Sequence, residues 1–264
     1  MPYEYHYYNH YRDPQLKIIF HEDNITNTFV YEPHWHNSPE LLLIISGNLT
    51  VICDGVERVF CENEIAVINN NQIHDMYTND EKCKYYCLIV DSEIYDNSNN
   101  VLSPKSANTE AVIIYNKIAE ELTLKKQNYK EAVIGYSKVL FSILSREDVP
   151  SDELIINKRK VELVKAATQY IYENFANDIT LDDISEHLNT SKYYLSHIFK
   201  EIAGKTVISH LNYVRCHHAK TLLKSGKNNV AESAFLSGFS NLSYFSKIYK
   251  RIIGNSPIKD LKEK

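Results

Sequence analysis

Gly238-Phe239-Ser240-Asn241-Leu242-Ser243-Tyr244-Phe245-Ser246-Lys247 reads as a turn followed by the opening of a helix. Val230 to Ser237 has the length of a short preceding helix, Gly238 permits the turn, and Asn241 starts a helix ending near Arg251. On that helix Phe245, Ile248, Tyr249 and Ile252 share one face, while Asn241, Ser243, Ser246, Lys247 and Lys250 share the other. The same design occurs fifty positions earlier. Thr180 caps a short helix whose first turn carries Asp182 and Asp183, as the helix dipole favours. Asn189-Thr190 make a turn, and Ser191 caps a second helix reaching Glu201. Leu195, Ile198, Phe199 and Ile202 point inward there; Lys192, Tyr193, Ser196, His197 and Lys200 point outward. A short helix, a tight turn and a second helix with a polar, basic face outline a helix-turn-helix. Residues 181–201 and 230–251 are therefore read as two such motifs. Ile208, Leu211, Val214, Ala219, Leu222 and Leu223 form the apolar stripe of a helix joining them. Two rigidly joined units of this kind reach successive major-groove faces about 34 Å apart.

The charge is unevenly divided. The whole chain carries a net −5, yet residues 158–264 hold 17 Lys and Arg against 10 Asp and Glu, leaving 12 against 24 for the remainder. A basic C-terminal third on an acidic remainder points to one half meeting a polyanion. The plainer alternative is a solvated surface that carries one sign by chance.

Ser191-Lys192-Tyr193-Tyr194-Leu195-Ser196-His197-Ile198-Phe199-Lys200, with Gly204, resembles the first motif of AraC/XylS-type transcription regulators. Leu211, Arg215, Ala219 and Leu222-Leu223 match that family's linker helix. The segment from Gly238 to Lys247, with Tyr249-Lys250, Gly254 and Ser256-Pro257, resembles its most diagnostic stretch. Ser233 stands where the family has an aliphatic residue, and Asp260-Leu261 where it has an aromatic–Arg pair. The resemblance implies that Tyr193, Ser196 and His197 face bases in one groove, and Asn241, Ser243, Ser246 and Lys247 in the next. Lys192, Lys200 and Lys250 are then phosphate contacts, which position rather than specify.

The N-terminal part has a different pattern. Residues 17 to about 95 read as β-structure: LKIIF, TFVYE, ELLLII, LTVIC, ERVF, IAVI and KYYCLIV are short β-branched and aromatic runs with turn-prone pieces between them. Asp54-Gly55 marks a hairpin, because both positions tolerate positive φ. Many short strands at this spacing mean a sandwich or barrel. Tyr95 to Asn108 reads as a loop. Two helical patterns follow: Ala111, Ile114, Ile118, Ala119 and Leu122, then Ala132, Val133, Tyr136, Leu140, Ile143 and Leu144. They form a hairpin that packs on the barrel, pairs two chains, or does both.

His34-x-His36-x-x-x-Glu40, then Gly47, and His74 after an Asn-rich turn, resemble the cupin barrel motif. Strand positions i and i+2 share a face, so His34 and His36 both point into a barrel, where Glu40 and His74 complete three nitrogens and one oxygen. The motif's leading glycine is replaced by Thr28, and Asn63, Asn69 and Asn71 replace the Gly, Pro and Gly of its second half. Barrels joined to this kind of DNA-binding domain resemble non-enzymatic sensors. The four residues are accordingly read as an effector site with no cofactor; a metal, if one binds, takes the same four. Trp35 alternates away from the histidines as packing or pocket rim, and the tyrosines at positions 3, 5, 7, 8 and 11 form either a loose arm or a cover for the barrel mouth.

The expected fold class is thus α+β in two domains. Residues 1–108 form a cupin-like effector-sensing β-barrel with its N-terminal arm, 109–148 a helical dimerisation hairpin, 149–157 a linker, and 158–264 an all-α DNA-binding domain. At 44% hydrophobic and 24% charged the composition is that of a folded soluble protein, and the longest apolar run, Leu41 to Ile45, is far too short to span a membrane. The first residues lack the pattern of a signal peptide, and five cysteines with no C-x-x-C pair read as cytoplasmic thiols. The expected function is a cytoplasmic transcription regulator, not an enzyme, working as a homodimer on double-stranded promoter DNA. Family habit favours an activator, with RNA polymerase as a partner. The expected signal is a small-molecule effector, for which the Tyr, His and Asn of the barrel end favour a carbohydrate. Two alternatives stand beside it: a metal-dependent cupin enzyme, against which the tandem basic motifs weigh, and a constitutive DNA-binding protein whose barrel serves assembly.

Overall fold

The computed structural model describes residues 16–27, 33–91, 93–95, 101–149 and 158–262; the tyrosine-rich start, Thr28 and most of the interdomain linker lie outside them. The chain divides into two compact units, residues 1–156 and 157–264.

The first unit contains β1 (Ile18–Ile25), β2 (Glu40–Ser46), β3 (Leu49–Cys53), β4 (Val56–Phe60), β5 (Ile65–Ile68), β6 (His74–Tyr77), β7 (Cys83–Val90) and β8 (Lys105–Ser106). They make two sheets, ordered β1-β7-β2-β5-β8 and β4-β3-β6, with antiparallel pairing throughout. Asp54 and Gly55 close the β3–β4 hairpin at φ 48° and 84°, the left-handed conformation expected of them. Two strands depart from the sequence reading. β6 is His-Asp-Met-Tyr, without the β-branched run that marks a strand, and β8 is a two-residue pairing with Ile65 and Ala66 inside the expected loop.

The run Leu41-Leu42-Leu43-Ile44 is buried along its whole length because the five-stranded sheet is covered on both faces. Leu42, Ile44, Ala66, Ile68, Cys87 and Ile89 pack with Leu49, Val51, Phe60 and Met76 between the two sheets. Leu41, Leu43, Ile65, Val67, Leu88 and Val90 pack on the other side against α1 (Thr109–Leu124) and α2 (Tyr129–Leu144). The period-2 alternation sorts these side chains into two cores. Asn108 caps α1 by accepting from the Glu110 and Ala111 amides. Tyr115, at the centre of α1 and fully buried, reaches the Leu41 and Tyr86 carbonyls with its hydroxyl at 2.8 and 3.0 Å. The helical hairpin is thereby fastened to the sheet. Its other side leaves Ile113, Leu124 and Val139 about half exposed.

The second unit is all helical: α3 (Lys158–Asn174), α4 (Leu181–His187), α5 (Lys192–Ala203), α6 (Val207–Ser225), α7 (Val230–Leu236), α8 (Leu242–Ile253) and α9 (Pro257–Lys262). The sequence reading did not separate α3 or α9 as elements. It also ended α5 two residues early, began α8 one residue early, and placed Ile208 on the buried stripe of α6; Ile208 is exposed, and Val207, Leu211, Val214, Cys216, Ala219 and Leu223 form that stripe. All five cysteines are free thiols. Among the described residues no helix is long and apolar enough to cross a membrane.

Candidate functional site

The helical unit is built twice. Capping boxes open α4 (Thr180 with Asp183) and α7 (Asn229 with Glu232), so both short helices begin with their free amides satisfied. Ser191 and Asn241 then cap α5 and α8 through the amides three residues on, and both helices run twelve residues to glycines at positive φ, Gly204 and Gly254. Thr206 and Ser256 follow fifty positions apart, and each is succeeded by a further helix.

The burial of the two candidate recognition helices is the same position by position from Lys192 to Glu201 and from Leu242 to Arg251. Leu195, Ile198 and Phe199 are buried in α5, as are Phe245, Ile248 and Tyr249 in α8. Lys192, Tyr193, His197 and Lys200 are exposed, as are Ser243, Lys247 and Lys250; Ser196 and Ser246 sit half-buried at the edge of each face. Asn241 is exposed too, but it precedes the helix and its Oδ1 is spent on the Tyr244 amide, so only its amide nitrogen is left for a base. Lys192 is held by Asp182 at 3.0 Å, and the His197 Nδ1 lies 3.7 Å from Glu201, which also binds Lys160. Among the described residues no ion pair engages Lys200, Lys247 or Lys250. They stand as uncompensated positive charge.

Arg215 and Gly238 fix how the two halves join. Arg215, buried on α6, donates from Nε to the Phe175 carbonyl (2.7 Å) and from Nη2 to that of Asn177 (2.8 Å). Gly238 has φ +83°, and a Cβ there would lie 2.4 Å from the Phe175 carbonyl oxygen and 2.9 Å from Arg215 Nε. The turn of the second motif therefore lies directly on this anchor. The sequence matched Arg215 to a linker helix without revealing its partners, which lie 38 and 40 residues away.

The structure also brings together His34, His36, Glu40 and His74. One nitrogen or oxygen from each lies within 4.8 Å of all the others. His34 and His74 are held side by side by reciprocal backbone hydrogen bonds of 3.0 and 2.8 Å, their rings 4.2 Å apart between centroids. His36 comes in through the geometry of residues 36–40, its Nδ1 2.6 Å from the Ser38 carbonyl and its Nε2 3.0 Å from Glu40 Oε2. Glu40 starts β2, and the same Oε2 is 3.2 Å from His74 Nε2. Cys87, across the sheet, donates its thiol to Glu40 Oε1 at 3.2 Å; the sequence reading did not include it. Its inward position follows from β7 alternation only once the register with β2 is known.

The electrostatics of the cluster follow from burial. Burial alone would raise Glu40, but the facing His36 and His74 rings outweigh it and hold the carboxyl well below its usual range. Burial and the neighbouring His74 push His34 well down. For His74, burial pulls down and the Glu40 carboxylate more than restores it, leaving a raised value. Three nitrogens and one oxygen around a buried charge make a polar cluster inside an otherwise apolar core.

Residues 17–111 match the AraC-like ligand binding domain, and residues 184–263 match a helix-turn-helix domain. Together these cover about two thirds of the chain, and the chain belongs to the AraC family of transcriptional regulators. It is 27% identical to the HTH-type transcriptional regulator YbfI of Bacillus subtilis over 80% of each chain. It is 31% identical to the HTH-type transcriptional regulator YijO of Escherichia coli over 45% of this chain and 42% of that one. It is 32% identical to the raffinose operon transcriptional regulatory protein RafR of Pediococcus pentosaceus, over 41% of this chain and 39% of that one. The chain thus spans less than half the length of YijO and RafR.

Proposed function

We propose that this protein regulates transcription by binding double-stranded promoter DNA through α5 and α8, under the control of a small molecule received in the strand-rich unit. The observation that carries this reading is the repeated exposed face. Two helices fifty positions apart present the same pattern of polar and basic side chains, on a unit whose sequence is net positive. Lys200, Lys247 and Lys250 contact phosphates or base edges, and Tyr193, Ser196, His197, Ser243 and Ser246 lie toward the bases. Lys192 does the same after giving up Asp182. Asn241 contributes its amide nitrogen.

The effector site is His34, His36, Glu40 and His74, a polar cluster in an apolar barrel. RafR, whose name ties it to a raffinose operon, supports a carbohydrate as effector and a cytoplasmic setting. The half-exposed Ile113, Leu124 and Val139 on the hairpin support homodimer formation there. Activation through RNA polymerase belongs to the same proposal. YijO, YbfI and RafR are named as regulators, which favours this role over that of a cupin enzyme.

The test is selection of bound fragments from the source genome by the full chain, followed by titration of the enriched sequence with and without candidate sugars. The expected result is a site with two half-elements about one helical turn apart and an affinity that falls steeply with salt. Binding with no sequence preference would overturn the reading. Affinity indifferent to every effector would leave a constitutive DNA-binding protein.

A further inference from the structure

We propose that the His34–His36–Glu40–His74 cluster is a binding site for one first-row divalent transition-metal ion, which forms the centre of the effector site. The inference deepens the sensor reading and rests on it only for the role of the ion, since metal uptake is measured without DNA.

The argument starts from tautomers. The Ser38 and Gln72 carbonyls are pure acceptors, and they lie 2.6 Å from His36 Nδ1 and 2.9 Å from His74 Nδ1. Each Nδ1 must therefore carry its proton. In the neutral rings both Nε2 atoms are then lone pairs, and both face the same carboxylate oxygen, Glu40 Oε2, at 3.0 and 3.2 Å. Acceptor faces acceptor twice. His74 Nε2 is fully enclosed and makes no well-formed hydrogen bond. One added proton relieves one of the two contacts. Two added protons relieve both, at the cost of two imidazolium rings against one carboxylate in a site where His74 and Glu40 are almost wholly shielded from water. A single divalent cation between the donors resolves every contact at once.

Two spacings already suit a common ion: nitrogen and oxygen ligands about 2.0–2.2 Å from it lie roughly 3 Å from one another at neighbouring positions, as the His36 and His74 nitrogens do from Glu40 Oε2. The four donor atoms all lie within 4.8 Å of one another, so the widest-spaced pair draws together when an ion binds. The surroundings agree as well. Metal-bound histidines characteristically give their second nitrogen to a carbonyl, as His36 and His74 do here, and ligating carboxylates are themselves hydrogen-bonded, as Glu40 is by Cys87. Three imidazoles and a carboxylate suit ions from manganese to zinc; they do not suit calcium or magnesium, which take oxygen, or copper(I), which takes sulfur. His36 is the one ligand with appreciable exposure, so the side of the ion next to it is where an oxygen-bearing small molecule reaches the remaining coordination positions.

The experiment uses the full chain, purified without an affinity tag and stripped with chelator. Cobalt(II) is titrated in while visible absorption is followed, then nickel and zinc by calorimetry. The expected result is one ion per chain, a d–d band of a nitrogen-rich site, and no competition from millimolar magnesium. His36→Gln removes a partly exposed ligand and leaves the fold intact by circular dichroism. It is expected to weaken uptake by more than the roughly 10–100-fold that loss of an outer partner costs. Cys87→Ala is expected to cost about 10-fold and Cys87→Ser, which keeps a donor, much less. Uptake below a tenth of an equivalent for manganese, iron, cobalt, nickel and zinc by a folded chain would overturn the proposal. So would His36→Gln protein that binds as well as wild type. DNA affinity of the stripped chain is measured in parallel: loss of metal binding with DNA binding intact sinks this inference alone, and the reverse sinks the regulator reading alone.

Discussion

The Tyr249 hydroxyl donates to the Asp260 carboxylate at 2.7 Å, buried beneath the second recognition helix, and the positions fifty residues earlier hold Phe199 and His210 instead. The two halves of the helical unit thus share a frame and differ in the polar pair beneath it. In the second half donor and acceptor are matched. In the first, Phe199 has no hydroxyl to offer and His210 Nε2 is buried without a partner.

Tyr249→Phe should therefore destabilise the helical unit by about 1.5–3 kcal/mol, the value of a buried hydrogen bond to a charged group, because it leaves Asp260 only the 3.4 Å contact from Asn255. Phe199→Tyr should be neutral or stabilise by up to about 1 kcal/mol, since it brings a hydroxyl toward the orphan nitrogen. Chemical denaturation followed by circular dichroism separates these. Equal losses in both variants would show that the two positions are not equivalent.

His210 also sets a pH limit. Burial, with Lys205 adding to it, lowers it to about 3, so the unfolded chain takes up the proton first as pH falls below the ordinary value near 6.5. Its stabilising effect is complete above about pH 6.5 and is lost progressively toward pH 3, at a limiting slope of about 1.4 kcal/mol per pH unit. His217, lowered to about 4 by burial and then Lys220, adds a smaller effect of the same sign because it is less enclosed. Stability of the helical unit should drop by about 2 kcal/mol between pH 6.5 and 5, and His210→Gln should flatten that profile. An unchanged slope in the variant would exclude His210 as its source.

Gly238→Ala meets two obstacles, a left-handed backbone and a carbonyl oxygen 2.4 Å from the new Cβ. The backbone alone costs roughly 1–2 kcal/mol, and the clash must displace the Arg215 anchor besides. We expect a loss above about 3 kcal/mol, or failure of the helical unit to fold. Gly135→Ala is the control of opposite sign: on α2 its Cβ meets nothing, and it should stabilise by about 0.5–1 kcal/mol. Thermal melting monitored separately in each unit reads both.

Lys247→Ala should weaken DNA binding most at low salt and reduce the slope of log affinity against log salt by about 0.9, one phosphate's worth. Asp182→Asn should act the other way, because it frees Lys192 and removes an acidic group beside it. Fluorescence anisotropy across a salt series checks the pair. Identical slopes for Lys247→Ala and wild type would remove Lys247 from the interface.

Much of this architecture was readable in the chain. Amphipathic helices such as α5 and α8 carry their pattern locally, in caps, a terminal glycine and a buried stripe, and Asp54-Gly55 announces its own turn. The apolar stripe of α3, with Val161, Val164, Ala167 and Ile171 buried, is equally local, although the sequence reading did not separate it. β6 and β8 were not readable, because their strand character comes from their partners. For the four barrel residues the sequence supplied identity and spacing, which left open whether an effector alone or a metal takes them. What bears on the choice is the fixing of the His36 and His74 Nδ1 atoms by carbonyls two residues away, a matter of rotamer and distance that no spacing encodes.

Glu40 and Cys87 touch one another on the inner face of the sheet, while the peptide units beside them, those of Leu41 and Tyr86, offer their carbonyls to Tyr115 on the outer face. The histidine–glutamate cluster and the helical hairpin are thus back-to-back neighbours through one thickness of β-sheet. Whatever shifts the Glu40 backbone tugs at the acceptors of α1 in the same movement, because a single peptide bond joins Glu40 to Leu41.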